Sequence, residues 1–125
     1  MNNVKFNYLY RDAGNYKKWA YVIFSNPDRL SIDRIMEALR GAFLQDGLFI
    51  ASQVCVPEVF FSTSGDATSD DHCFHELDVV EITLDGPNDR HSRSMREFIL
   101  EVRREATRGW ETFDPHERIS QRILD

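Results

Sequence analysis

His72-Cys73-Phe74-His75-Glu76-Leu77-Asp78-Val79-Val80-Glu81-Ile82-Thr83-Leu84 is the stretch on which the fold turns. It is β-prone, yet its apolar parity changes part-way: Cys73, Leu77 and Val79 occupy odd positions, Val80, Ile82 and Leu84 even ones. Side chains alternate between the two faces of a strand, so one uninterrupted strand cannot bury both sets. A bulge or break near Asp78 reconciles them. The turn Asp85-Gly86-Pro87-Asn88 follows, and then Met95, Phe98, Ile99, Val102 and Ala106, whose offsets of 0, 3, 4, 7 and 11 lay one apolar stripe along a helix.

Upstream, the same order of elements occurs once more. Val4, Phe6, Tyr8 and Tyr10 alternate with Lys5 and Asn7 as in a half-buried strand, and the run Ala20-Tyr21-Val22-Ile23-Phe24 follows a polar loop, which predicts an antiparallel pair. Asn26-Pro27 ends the second strand. Ser31 is placed to cap a helix carrying Ile32, Ile35, Met36, Leu39 and Phe43, weakened by Gly41 and ended near Leu44 or Gln45 ahead of Gly47. Leu48 to Pro57 has no clean period and reads as an extended connection to a short strand over Glu58–Phe61. Ser62 to Asp71 has the composition of a solvated loop.

The expected fold is therefore α+β in the order ββαββα: one domain over residues 1–108, a sheet of about four antiparallel strands, and two amphipathic helices on one face. Residues 109–125, with Trp110, Phe113, Ile119 and Ile123 separated by charges and Pro115, read as a tail or short helix packed back on the domain. At 125 residues, with 42% apolar and 29% charged side chains, the chain suits one core. The apolar run Ala20 to Phe24 is far short of the roughly 20 residues of a membrane span. The opening Met1 to Tyr8 lacks the apolar stretch of a secretory signal, so a cytoplasmic setting is expected. Cys55 and Cys73 read as free thiols.

Three constellations carry the functional reading. Asp70-Asp71-His72-Cys73-Phe74-His75-Glu76 concentrates metal ligands, and His72, Cys73, His75 and Glu76 form a candidate zinc set. On a strand Cys73 and His75 share one face while His72 and Glu76 face the opposite way, so at least one further ligand has to come from elsewhere, such as Cys55, His91 or His116. The competing reading is a buried thiol and a strand edge of hydrogen-bonded histidines and carboxylates. The second group, Arg11, Asp12, Asn15, Tyr16 and Lys17, is a polar loop site of cations, aromatics and turn residues. Its spacing matches no phosphate-binding loop, so the plainer reading has Asp12 and Asn15 bonding the backbone while Tyr16 or Trp19 covers the core. No set of nucleophile and base can be assigned, and a non-enzymatic protein is favoured.

The third is charge. Between Ser62 and Asp89 stand Asp66, Asp70, Asp71, Glu76, Asp78, Glu81, Asp85 and Asp89 with no lysine or arginine, while the flanking segments are nearly balanced, so the net charge of -6 is local. A field of this kind recruits a basic protein and argues against direct nucleic-acid binding. The leading expectation is a small interaction factor, of an immunity, antitoxin-like or anti-defence kind, using Asp66, Asp70, Asp71, Glu76, Asp78 and Glu81 against a basic partner. The alternative is a metal-binding domain or metal-dependent enzyme built on the His72–Glu76 segment. The competing plain reading solvates the acids or pairs them with Arg90, Arg93 and Arg96.

The opening Tyr8-Leu9-Tyr10-Arg11-Asp12-Ala13-Gly14-Asn15-Tyr16-Lys17, followed by Val22-Ile23-Phe24-Ser25-Asn26-Pro27, resembles that of a scattered group of small bacterial or mobile-element proteins. The pairs Asp71-His72 and His75-Glu76 belong to the same resemblance. It covers most of the chain up to the second helix and implies a bacterial or mobile-element origin, with no activity to carry over.

Overall fold

A computed structural model describes residues 2–60 and 72–115. The strands are β1 (Asn3–Arg11), β2 (Lys17–Phe24), β3 (Leu48–Phe49) and β4 (His75–Thr83), and the helices α1 (Ile32–Ala42) and α2 (Met95–Arg108). The sheet is antiparallel, in the order β2-β1-β4-β3. This is the α+β architecture expected from the apolar pattern.

β1 lies between β2 and β4, and its even residues Val4, Phe6 and Tyr8 point into the core with Val22, Phe24, Leu77 and Val80. Ile35 and Leu39 of α1 and Met95, Phe98, Ile99 and Val102 of α2 join the same cluster, so both helices cover one face. Phe24 and Phe98 stack at 4.4 Å, Phe43 and Phe49 at 4.6 Å. Such ring pairs contribute about 0.5–1.5 kcal/mol each beyond their burial.

The parity change in β4 is a bulge. Phe6 opposes Val80 and Tyr8 opposes Leu77, so Asp78 and Val79 together face Asn7. The Asn7 side chain donates to the Val79 carbonyl at 3.2 Å and satisfies the group that the bulge displaces. Leu77 and Val80 thereby both reach the core, while Val79, Ile82 and Leu84 remain exposed.

The first helix starts at the cap read from the sequence, and the second starts at Ser94. The Ser31 hydroxyl accepts from the Arg34 N–H, and Ser94 with Glu97 forms a reciprocal capping box. α1 stops at Ala42, slightly earlier than its apolar stripe suggests, because Phe43 is already extended.

The third strand is corrected. It is Leu48–Phe49, paired with His75 and Glu76, whereas 58–60 is not a strand and Phe61 lies outside the described residues. Gly47, at φ +74°, turns the chain into that pairing, where a Cβ would lie 3.2 Å from the Leu77 Cβ. Beyond α2, Gly109 ends the helix, Trp110 packs on Phe43 and donates to the Ala42 carbonyl, and Phe113 meets Phe60 edge-on. Residues 116–125, the rest of the expected tail, lie outside the described residues.

Candidate functional site

The His72–Glu76 segment is used mostly to hold chain to chain. His75 is almost wholly buried, ringed by Tyr8, Tyr10, Phe49 and Phe60 at 4.9–6.2 Å between centroids. Its Nε2 accepts the Val59 N–H at 3.0 Å, which leaves Nδ1 with the proton and without an acceptor among the described residues. Burial, and then the neighbouring His72, lowers its pKa from 6.5 to about 3. Tyr8 donates to the Pro57 carbonyl at 2.6 Å and Tyr10 to that of His72 at 2.8 Å, so the segments on either side of 61–71 are tied to β1. Burial pushes the Tyr8 hydroxyl well above its ordinary pKa.

The remaining candidate ligands are committed in similar ways. His72 Nδ1 accepts the Phe74 N–H at 3.1 Å, Cys73 is buried, and Glu76 is paired with Arg11 at 2.9 Å. Among the described residues no three histidine, cysteine, aspartate or glutamate side chains are placed to share an ion. Cys55, read as an outside ligand, sits instead beside α2 with its thiol donating to Glu101. Burial first and the Glu101 charge second raise its pKa, the opposite of what a nucleophile needs.

The polar loop is stitched to itself. Asp12 accepts the Tyr16 N–H at 2.8 Å, the Asn15 N–H bonds the Asp12 carbonyl, and Asn15 is left-handed at φ 65°. Arg11 reaches across to both Asn15 and Glu76. Tyr16 and Trp19 do not cover the core: Tyr16 is 72% exposed and Trp19 56%. The reason is parity, since Ala20, Val22 and Phe24 take the core face of β2 and leave Trp19 and Tyr21 on the helix-free face. Lys17 is exposed beside them, and the Lys5 ammonium lies 4.3 Å from the Tyr21 ring centroid.

The acids divide into neutralised and free groups. Arg11 from β1 holds Glu76, and Arg93 holds Asp89 through two 2.9 Å contacts while also donating to the Val54 and Cys55 carbonyls. Burial opposes ionisation of Asp89, but the bonds and charge of Arg93 outweigh it and keep the carboxyl below its usual range. Glu81 is exposed and, among the described residues, takes the Asn7 amide at 3.2 Å. Asp78 is half-buried at the bulge and Asp85 exposed in the exit turn. Asp66, Asp70 and Asp71 lie outside the described residues. Arg96 reaches Asp28 at 4.0 Å rather than this group.

The chain matches no family model, no curated protein and no solved structure. Among the described residues, no helix is long and apolar enough to cross a membrane.

One part of this surface escaped the sequence reading. Trp19 and Tyr21 lie on the same open face as Glu81, two strands away and roughly 10 Å across the sheet. The signal was available in the alternation of β2, whose odd residues oppose the odd residues of β1.

Proposed function

We propose that this chain is a small protein-interaction factor that engages a basic partner through the β4 side of its sheet. The observation that carries the reading is that Asp78, Glu81 and Asp85 stand beside the exposed apolar residues Val79, Ile82 and Leu84, in a segment from Ser62 to Asp89 without lysine or arginine. Apolar contact supplies affinity in such a surface, while unneutralised charge sets encounter rate and partner choice. A small domain that masks a basic surface in this way suits an immunity, antitoxin-like or anti-defence role. Glu76 contributes less, because Arg11 occupies it. Trp19 and Tyr21, the residue types most often found at binding hot spots, would anchor the partner from the opposite margin of the face.

The test is salt and charge. Affinity for a partner recovered by cross-linking in the native host should weaken about tenfold or more between about 0.1 M salt, where charges act over ~10 Å, and about 1 M, where they act over ~3 Å. The double variant Asp78→Asn/Glu81→Gln should weaken binding and flatten that dependence. Affinity indifferent to both salt and the variant would overturn the reading.

A further inference from the structure

Beyond Leu77 the outer edge of β4 has no paired strand among the described residues. β3 pairs only with His75 and Glu76, and the chain reaching it turns past Leu77 at Gly47. The direction of the backbone groups along this edge follows from the opposite side of the sheet. Asn88 bonds both backbone groups of Ile23, accepting its N–H at 2.7 Å and donating to its carbonyl at 3.0 Å, so Ile23 faces away from β1. Because backbone groups alternate in direction, Val22 and Phe24 face β1. Their partners Phe6 and Val4 face β2 in return, which turns Lys5 and Asn3 towards β4. Lys5 opposes Glu81 and Asn3 opposes Thr83, so those two face β1, and the N–H and C=O of Val80 and Ile82 face outward.

From this edge we infer that the basic partner of the proposed function is bound as an added strand: an extended segment bearing lysine or arginine pairs with Val80 and Ile82 and continues the sheet beyond β4. The inference rests on that function and specifies how the site works. Main-chain hydrogen bonds along a sheet edge give such complexes their affinity, and alternate side chains give specificity. Free edges are commonly guarded by lysine or proline. This one instead carries Asp78 and Glu81, with Asp85 just beyond its end and the apolar side chains of Val79 and Ile82 exposed. A second copy of the chain would bring the same acids to the same edge, and like charges on neighbouring strands destabilise pairing. A basic strand meets the opposite situation, placing a cation beside Glu81 on the open face and an apolar residue beside Ile82 on the other.

The experiment uses the full chain and a blocked six-residue peptide alternating lysine and valine, with a second peptide of the same sequence N-methylated at alternate residues so that it cannot pair. Titration with the first peptide should slow amide hydrogen exchange at Val80 and Ile82 about tenfold or more, with little change at Glu81, whose N–H already faces β1. N-methylation should weaken binding about tenfold. Ile82→Pro, which removes one outward N–H and no charge, should do the same. If the N-methylated peptide binds as well as its parent and Val80 gains no protection, strand addition is wrong, even where Asp78→Asn/Glu81→Gln still weakens binding and the acidic surface stands. If neither peptide binds in a salt-dependent way, the acidic reading falls and strand addition falls with it.

Discussion

Lowering the pH from 7 to 5 adds a proton to His75 only in the unfolded chain. In the folded protein its ring is shut inside Tyr8, Tyr10, Phe49 and Phe60, with Nε2 engaged by the Val59 N–H, and burial holds its pKa at about 3 against 6.5 when free. Above pH 6.5 the ring is neutral in both states and pH has no leverage through it. Between 6.5 and about 3 the unfolded chain binds a proton that the native state refuses, so stability falls as pH falls, by about 1.4 kcal/mol per unit. By pH 5 that amounts to roughly 2 kcal/mol, a large fraction of the 5–15 kcal/mol typical of a domain. The assay is urea unfolding followed by tryptophan fluorescence at pH 7, 6 and 5, on the wild type and on His75→Gln. The variant should be less stable at pH 7 by about 1–3 kcal/mol, because the Val59 N–H loses a well-placed acceptor. It should also lose the slope, and the other histidines cancel in the comparison. Parallel pH profiles for the two proteins would refute the argument, since they would mean that His75 titrates alike in both states.

Two further outcomes follow from named contacts. Asp89→Asn leaves the Arg93 guanidinium buried against Phe24 and Phe98 with only the partly exposed Glu101 as counter-charge, so unfolding free energy should fall by about 3 kcal/mol; a loss below about 1 kcal/mol in urea would show that Glu101 alone suffices. Trp19→Ser and Tyr21→Ser remove half-exposed rings from the open face, so stability should stay within about 0.5 kcal/mol while partner affinity drops about tenfold or more, measured by calorimetry; a destabilised variant with unchanged affinity would make these rings structural.

The parts of the fold that were legible share one property: their pattern is local. Alternation in Val4–Tyr10, the two helical stripes, the Ser31 cap and the parity break at Asp78 all express short-range geometry, and each is present in the structure. β3 was not legible because two residues are too short to show a period; Leu48 and Phe49 pair where they do because Gly47 turns the chain and Phe49 has a core site to fill. The clamp at His75 was illegible for a related reason. Its Nε2 partner is the N–H of Val59, in a segment without a period, so no local pattern announces the contact.

Charge raises the same difficulty in a sharper form. A count along the chain shows eight acids from Ser62 to Asp89 and no base, but neutralisation is decided in three dimensions. Arg11 reaches Glu76 across 65 residues of sequence because β1 and β4 are neighbours, and Arg93 reaches Asp89 because the start of α2 folds back on its own entry loop. What is left among the described residues is smaller than the count but more directed: Asp78 and Glu81 flank Val80, whose backbone groups face the side of β4 away from β1. A residue-for-residue tally treats Glu76, Glu81 and Asp89 alike, whereas the sheet order makes the first a tie to Arg11, the last a buried counter-ion, and only Glu81 an available charge. Neutralising Glu81 is therefore the single charge change expected to weaken binding of a basic partner most.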